Sequence, residues 1–398
     1  MSRARLPRAV KLFGAVSLLN DFASEMIYPL LPALVTGVLG AGPQALGALD
    51  GAADFAASFV KLGAGRLADR PARRGALVVG GYALAVLVRP VIALAGAAWQ
   101  VIGLRAVDRL GKGLRSPPRD ALIADATPPA IRGRAFGLQR GLDHAGAVLG
   151  PLVAWYLLSS RTADVRHVIA ASIVPGVLVL VLAVWAVRDG RERTETDEGS
   201  GTEQPRPAPS AAVRLRPPLA LLAITAFYLL RMPETLLILR SQQLGVSVAT
   251  VTLLWATLHV VRSASSFVAA SWSDRLGAGR TMSLGWIAYA ALMAGMAAAH
   301  TPLQAWAAFL ALGVVAGLTE GPERALVARQ AGSRQGSGFG GYYAATGFAA
   351  LAGGLLLGAA FQAWGGPRAL GVSAAAAAAL ALGAAPAYWW LAPRVASP

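Results

Sequence analysis

The sequence predicts an all-α membrane protein with twelve transmembrane helices in two pseudo-symmetric six-helix bundles. Three observations predict it: the composition, a series of long apolar stretches, and a repeat that relates the two halves of the chain. Of the 398 residues, 56% are hydrophobic and only 14% are charged, whereas a soluble domain carries about 25% charged residues. A chain with so few charges cannot cover its surface with polar groups, so most of it is expected to face lipid.

Twelve apolar stretches of near-spanning length follow one another along the chain. They lie at about 12–36, 45–67, 75–97, 98–118, 133–158, 167–187, 217–240, 247–271, 280–299, 302–323, 337–363 and 367–391. A helix needs about 20 residues to cross the membrane, whereas a barrel strand needs about 10 residues of alternating polarity, so helices are predicted. The first stretch contains Asp21 and Glu25, which do not belong in the core of a cleaved signal peptide, and it is expected to be retained.

Basic residues set the expected orientation. With the amino terminus inside, the inner loops hold 17 arginines and lysines and the outer loops hold 4. The inner set is Arg3, Arg5, Arg8, Lys11, Arg66, Arg70, Arg73, Arg74, Arg115, Arg119, Arg132, Arg134, Arg275, Arg280, Arg324, Arg329 and Arg334; the outer set is Arg161, Arg166, Arg240 and Arg368. This bias predicts a multi-pass protein of the cell inner (plasma) membrane with both termini cytoplasmic. It also accounts for the net charge of +16 without a nucleic-acid partner.

A polar segment at 188–216 separates the halves. It contains six acids, six arginines and three prolines, a composition too polar to fold alone. The predicted organisation is therefore an N-terminal six-helix bundle at 1–187, a disordered cytoplasmic linker at 188–216 and a C-terminal six-helix bundle at 217–398.

The two halves repeat. Residues 113–125 align with 317–329, with identity at six of thirteen positions, and Arg119-Asp120 faces Glu323-Arg324 with the charges exchanged. At nearby offsets Asp69-Arg70 corresponds to Asp274-Arg275, and Phe136-Gly137 to Phe339-Gly340. Two similar halves with the same orientation predict a cavity between them near mid-membrane.

The loop between the second and third stretches reads Gly-Arg-Leu-Ala-Asp-Arg-Pro-Ala-Arg-Arg over residues 65–74. It resembles the signature loop of the major facilitator superfamily, G-x-L-A-D-R-x-G-R-R, with Ala72 in place of the last glycine. The resemblance implies the fold of that family and secondary transport, and that Asp69 holds the start of the eleventh span in the outward-open state. The implied conformational gate includes Gly65, Asp69, Arg70 and Arg73, with Asp274 in a weaker second copy.

Two further motifs resemble that family. Arg109-Leu-Gly-Lys112-Gly is similar to its R-x-x-Q-G motif, whose arginine is associated with proton coupling. An arginine at mid-depth costs at least ~2.5 kcal/mol, so we expect it to pair with Glu25; the alternatives are a local pair with Asp108 or snorkelling to the interface.

The fifth stretch carries Gly137, Gly146, Gly150 and Pro151, which resembles the family's antiporter motif and implies a seal between spans. Glycines at this spacing allow close helix crossing, and proline adds a bend. Ordinary small-residue packing is the alternative.

Charges within the apolar stretches are the candidate coupling and substrate sites. Asp21 and Glu25 share one helix face, as do Asp50 and Asp54, and two close carboxylates in a low dielectric do not both ionise, so one of each pair is expected to carry a proton. The whole candidate set is Asp21, Glu25, Asp54, Arg109, Lys112, Asp143, Arg231, Glu234 and His259.

Several classes of function are excluded by the sequence. There is no cysteine and there are only four histidines, so no metal site or other cofactor is expected. Gly336–Gly341 matches G-x-G-x-x-G but follows no strand, and no P-loop, H-E-x-x-H or G-x-S-x-G motif is present. The chain is therefore not expected to be an enzyme.

The leading hypothesis is a monomeric transporter that exports a small organic molecule in exchange for protons by rocking of its two halves. The alternatives are a proton symporter or facilitator that imports a metabolite and, in a different class, a membrane receptor that does not transport.

Overall fold

A computed structural model describes residues 6–68, 70–128, 131–160, 163–197, 217–331 and 335–389. Within these ranges the chain is helical throughout and contains no strand. The helices are α1 (Arg8–Ile27), α2 (Pro43–Ala68), α3 (Pro71–Val91), α4 (Ala98–Asp125), α5 (Arg132–Ser159), α6 (Val165–Ala171), α7 (Ile173–Asp197), α8 (Pro217–Leu230), α9 (Glu234–Gln243), α10 (Val248–Leu276), α11 (Ala278–Ala298), α12 (Pro302–Ala331), α13 (Gln335–Trp364) and α14 (Gly366–Trp389).

Each predicted apolar stretch coincides with one, two or three consecutive helical segments. The described residues contain eight segments that are long and apolar enough to cross a membrane. The others, among them α1, α2, α4 and α5, carry more charge and include the candidate site residues of the first half. The all-helical prediction is confirmed.

Two of the segments break where the sequence places proline. After α1 the chain forms a 3-10 turn at Tyr28–Leu30 and a π-helical stretch at Ala33–Val38. α8 ends at Leu230, and Pro233 precedes the first residue of α9. Proline lacks an amide hydrogen and clashes with the preceding turn, so both breaks follow directly from the sequence.

Several helices extend beyond their predicted stretches, and two of these extensions change an interpretation. α4 continues to Asp125 and α7 to Asp197, so Arg115 and Arg119 lie on a helix and not in a loop. The beginning of the predicted linker, 188–197, is helical as well, because arginine and glutamate are good helix formers. The remainder, 198–216, lies outside the described residues.

The chain forms two compact units. The first contains α1, the larger part of α2 from Ala52, α3 to α7 and the first turns of α10 (Val248–Ala256). The second contains residues 42–51, α8, α9, the rest of α10 and α11 to α14. Each half of the sequence therefore contributes one short segment to the unit built mainly by the other half.

The first unit has an apolar core at the start of α1, where Val10, Phe13 and Val16 are fully buried with Val78 and Tyr82 of α3. Beyond α5, the carboxylate of Asp164 accepts a hydrogen bond from the amide of His167 and caps α6. This hydrogen bond lowers the pKa of Asp164.

Candidate functional site

A buried ion cluster lies among α1, α3 and α4 in the first unit. The carboxylate of Asp108 accepts hydrogen bonds from Arg89 Nε and Arg105 Nη1, both at 2.9 Å, and all three side chains are at most 3% exposed. Arg89 also donates to the backbone carbonyl of Asn20 at 3.1 Å. Two cations held by one carboxylate fasten α3 to α4 and both helices to α1.

Arg115, further along α4, extends this cluster. It is 2% exposed, donates to Asn20 Oδ1 at 3.2 Å, and lies over the Tyr82 ring at 4.6 Å from the centroid. A cation over an aromatic face is stabilised by the ring quadrupole. The side chain counted above as a loop arginine is thus part of the helix packing.

A second polar network joins α1, α4 and α5. Ser17 accepts hydrogen bonds from Arg119 at 3.3 Å and from Gln139 at 3.0 Å. Gln139 in turn donates to Asp143 at 2.6 Å. The candidate Asp143 is therefore one end of a chain of hydrogen bonds that joins three helices.

Glu25 lies beside an aromatic pair. It accepts a hydrogen bond from Trp255 Nε1 at 3.0 Å, and the Trp255 ring lies 4.8 Å from the Tyr28 ring. Glu25 also interacts electrostatically with Arg109, and the predicted pairing of these two residues stays a prediction.

The second unit contains two ion pairs of its own. Arg231 and Glu234 pair at 2.9 Å across the break between α8 and α9, and Arg262 of α10 pairs with Glu320 of α12. Asp50 accepts hydrogen bonds from the Thr235 hydroxyl at 2.8 Å and amide at 3.0 Å. Asp50 thereby holds the first turn of α9.

Glu323 is the most enclosed acid of the second unit. Glu323 is 3% exposed, and its Oε1 atom has no hydrogen-bond partner among the described residues. The other contact is a hydrogen bond with the Tyr342 hydroxyl, which lies 3.4 Å from the Tyr228 hydroxyl. Arg231 and Arg324 interact with it electrostatically.

The glycines of α5 make the close helix crossing that their spacing predicts. A Cβ atom on Gly146 would lie 2.1 Å from the Leu18 carbonyl oxygen, and one on Gly150 would lie 2.2 Å from that of Phe22. On α13, a Cβ on Gly353 would meet the Leu229 carbonyl of α8 at 2.4 Å. Gly353 follows Gly150 at the offset that relates Phe136 to Phe339, so both units use the same crossing.

A second pair of positions repeats in the same way. Gly81 has no side chain, which leaves room for Arg115 Cβ. Gly285, 204 residues later, leaves room for Thr319 in the same way. Thr319 is itself 204 residues after Arg115. The repeat seen in the sequence therefore has a counterpart in helix packing within each unit.

The remaining candidates are placed as follows. Asp21 accepts a hydrogen bond from Asn20 at 2.8 Å, His259 is buried, Arg109 is half-buried, and Asp54 and Lys112 are exposed. Of the loop motif, Asp69 lies outside the described residues, Gly65 belongs to α2, and Arg70, Arg73 and, in the second copy, Asp274 are exposed. Arg74 of the same loop pairs with Asp125 at the end of α4. No cluster of metal-binding side chains is present in the described ranges.

Four residues of these networks are absent from the candidate set predicted from the sequence: Arg89, Asp108, Arg115 and Glu323. Arg89 stands alone in an otherwise apolar stretch, which was a usable signal because an isolated arginine there needs a buried partner. Glu323 lies at the repeat position of Arg119, and the exchange of charge between these two positions is the signal that the sequence offers for it. The partners themselves come from distant helices and are not readable from spacing.

Long apolar helices, with a buried ion cluster in the first unit and further ion pairs in the second, are typical of a multi-pass membrane protein. The family model described as Major Facilitator Superfamily matches residues 13–254, which is more than half of the chain. The protein belongs to the major facilitator superfamily.

Similar proteins agree with this assignment. An uncharacterized MFS-type transporter of Methanocaldococcus jannaschii is 33% identical over 176 residues, 44% of each chain. Multidrug resistance protein MdtH of Photorhabdus laumondii is 33% identical over 133 residues, 33% of each chain. The matches thus span less than half the length of these curated relatives.

Solved structures share the fold. The nucleoside transporter NupG has a TM-score of 0.74 and 11% identity, with 96% of this chain and 100% of that chain covered. The D-xylose-proton symporter has a TM-score of 0.68 and 15% identity, with 96% and 97% covered. At such identities the likeness concerns the fold alone.

Proposed function

We propose that the protein is a secondary active transporter of the bacterial inner membrane that exports a small organic molecule in exchange for protons. In this proposal twelve spans form two six-helix bundles, both termini are cytoplasmic, and the bundles rock about a central site. The gate consists of the loop motif at 65–74 with Asp274 and the glycine crossing of α5 with Pro151.

Proton coupling is supported above all by Glu323. A carboxyl group that is buried, hydrogen-bonded to a tyrosine, and left with one oxygen unbonded among the described residues can change its protonation state when its surroundings open to water. Asp143, at the end of its hydrogen-bond chain, is the corresponding group of the first unit, and Asp21 interacts with it electrostatically. Asp21, Glu25 and Asp54 complete the set of carboxylates.

Four basic side chains support a role in binding the solute. Arg109 and Lys112 lie one turn apart on α4, and Arg231 and His259 belong to the second unit. The direction of export is supported by the multidrug resistance name of one relative and by the antiporter-like glycines of α5.

Everted membrane vesicles test this function. With the interior acidified by respiration, addition of a cationic dye such as ethidium to vesicles containing the protein should release protons from the lumen. The same vesicles, with a panel of metabolites and drugs in place of ethidium, extend the search for the solute. Release of protons on addition of a solute supports antiport; solute movement in the same direction as protons supports the symport alternative.

Single substitutions locate the coupling group. Glu323→Gln, which imitates the neutral acid, and Asp143→Asn are each expected to abolish proton release while leaving solute binding measurable by thermal shift. Asp164→Asn is the matched control, since Asp164 is exposed and asparagine also caps helices. If Glu323→Gln, Asp143→Asn, Glu25→Gln and Asp54→Asn all leave transport and its pH dependence intact, the assignment of proton coupling to these carboxylates is wrong.

A further inference from the structure

Near their starts, α2 and α10 each make a hydrogen-bonded contact with a helix from the other half of the sequence. The carboxylate of Asp50, on α2, accepts hydrogen bonds from the hydroxyl of Thr235 at 2.8 Å and from its amide at 3.0 Å. The indole of Trp255, on α10, donates to the carboxylate of Glu25 on α1 at 3.0 Å. The α2 contact, Asp50 with Thr235, lies within the second unit, and the α10 contact, Trp255 with Glu25, lies within the first.

The repeat of the chain relates the two contacts. The aspartates of the loop motif and of its second copy are 205 residues apart, and the same offset relates Asp50 to Trp255. Their partners, Thr235 and Glu25, each lie within four residues of the proline at which the first span of their half breaks. A contact that recurs at related positions of both halves indicates one shared role.

Both contacts lie equally far along their helices. Asp50 is seven residues after Pro43, the first residue of α2, and Trp255 is seven residues after Val248, the first residue of α10. With the rise of an α-helix, each is about 10 Å from the start of its helix. The loop motif and its second copy lie at the other ends of α2 and α10, so the two contacts are at the end that the proposed orientation places outside.

The α2 contact completes a helix terminus. Thr235 is the second residue of α9 and is fully buried, and its amide has no carbonyl partner within its own helix. Pro233, which precedes α9, makes no side-chain cap. Asp50 supplies the cap from another helix, and its negative charge is favourable at a helix N-terminus. Because α9 loses this cap when α2 moves away, the contact resists separation of the two helices.

We propose that the α2 and α10 contacts hold the outer end of the protein closed and break together when that end opens. The inference rests on the proposed function, in which two bundles rock about a central site. The backbones of α2 and α13 touch beside the α2 contact, at Gly47 and Gly354, and leave no room for a solute between them. Since rocking moves whole helices, loss of one contact makes the other easier to break, and this coupling is reciprocal.

Cysteine labelling of the purified full-length protein in nanodiscs tests the proposal. The chain contains no cysteine, so one introduced cysteine is its only thiol. Leu46→Cys reports on the α2 contact and Val251→Cys on the α10 contact. These positions lie one turn before Asp50 and Trp255 and are 0% and 1% exposed. The rate of reaction with a membrane-impermeant maleimide is low while the outer end is closed and rises with the fraction of open molecules.

Each contact is weakened in turn, and the effect is measured at the other one. Thr235→Val removes the hydroxyl donor to Asp50 and should raise the labelling rate at Val251→Cys, where no contact is lost. Trp255→Phe keeps an aromatic ring but removes the donor to Glu25, and it should raise the rate at Leu46→Cys. A hydrogen bond to a charged group shifts an equilibrium between two states by about tenfold or more, and each rate should rise by that factor.

Matched variants separate opening from loss of stability. Thr235→Ser keeps the hydroxyl and should keep the low rate. Thr281→Val alters an equally buried threonine whose hydroxyl bonds to the Gly277 carbonyl four residues earlier, and it should also keep the low rate. Melting temperatures establish that each variant is folded at the labelling temperature, and Asp50→Asn takes the place of Thr235→Val if that variant is not.

The proposal requires the rise in both directions. A rise confined to the reporter beside the altered contact, no rise at the distant reporter, or an equal rise in Thr281→Val overturns it. Labelling needs neither a solute nor a proton gradient, so this proposal can fail while proton-coupled export in vesicles stands, and export can fail while the labelling result stands.

Discussion

At the scale of single residues, Asp108 is the group on which the first unit most depends. It is 1% exposed and is the shared partner of Arg89 and Arg105. Removing the carboxylate leaves two guanidinium groups without their counter-charge in a dry environment. Breaking a buried pair in this way costs about 3–5 kcal/mol, far more than an exposed pair contributes.

Asp108→Asn is therefore expected to lower the free energy of unfolding by about 3–5 kcal/mol. The measurement is thermal and denaturant unfolding of the purified protein in detergent, followed by tryptophan fluorescence. Asp120→Asn is the matched control on the same helix: its carboxylate pairs with Arg119 but is 49% exposed, so the loss should not exceed about 1 kcal/mol. Equal losses in the two variants would contradict the assigned role of the buried cluster.

At the scale of helices, the crossing of α1 and α5 depends on Gly146 and Gly150. The backbones approach so closely that a methyl group at Gly150 collides with the Phe22 carbonyl. Backbone atoms cannot rotate away as a side chain can, so the helices have to separate. Overpacking of this kind typically costs about 1–3 kcal/mol.

Gly150→Ala should accordingly destabilise the protein by about 1–3 kcal/mol. Gly141→Ala on the same helix meets nothing within 4 Å and should be neutral or stabilising by about 0.5–1 kcal/mol, because alanine is the better helix former. Gly353→Ala and Gly341→Ala form the same contrast on α13. Comparable melting temperatures for Gly150→Ala and Gly141→Ala would show that the crossing is not tight in the membrane protein.

At the scale of the whole molecule, the helices and their repeat are readable from the sequence, whereas the buried partnerships are not. Apolar length and proline positions fix where helices run and break, and a glycine spacing fixes a close crossing, because these depend on local chemistry. The partner of Glu25 is Trp255, 230 residues further on, and the partner of Asp108 on another helix is Arg89. Which distant side chain meets which depends on helix rotation, and a single sequence does not record it.

Arg115 and Arg119 illustrate a related difficulty. Counting arginines near the ends of apolar stretches gives the orientation, but it treats every such arginine as a loop residue. Both lie on α4 and bond to α1, Arg115 to Asn20 and Arg119 to Ser17. Long basic side chains reach polar partners from within a helix, so the count carries no information about burial.

The exchange of short segments between the halves of the sequence leads to a prediction about the whole chain. Residues 42–51 pack in the second unit, where Gly47 faces the backbone of Gly354. Residues 248–256 pack in the first unit, where Trp255 bonds to Glu25. A half expressed alone lacks the surface that its own segment needs, so neither half should be stable by itself.

Two chains divided within 198–216 and expressed together should therefore copurify, with a melting temperature close to that of the intact protein. The linker mainly raises the effective concentration of each half for the other, and the contacts of the two exchanged segments remain when the linker is cut. Gly47→Ala places a methyl group 2.1 Å from the Gly354 carbonyl and should reduce copurification, whereas Gly63→Ala on the same helix meets nothing within 4 Å and should not. The prediction is wrong if each half is stable alone, or if the halves copurify as well with Gly47→Ala as with Gly63→Ala. In that case the exchanged segments do not hold the halves of the chain together, and 1–187 and 217–398 are independent domains joined only by their linker.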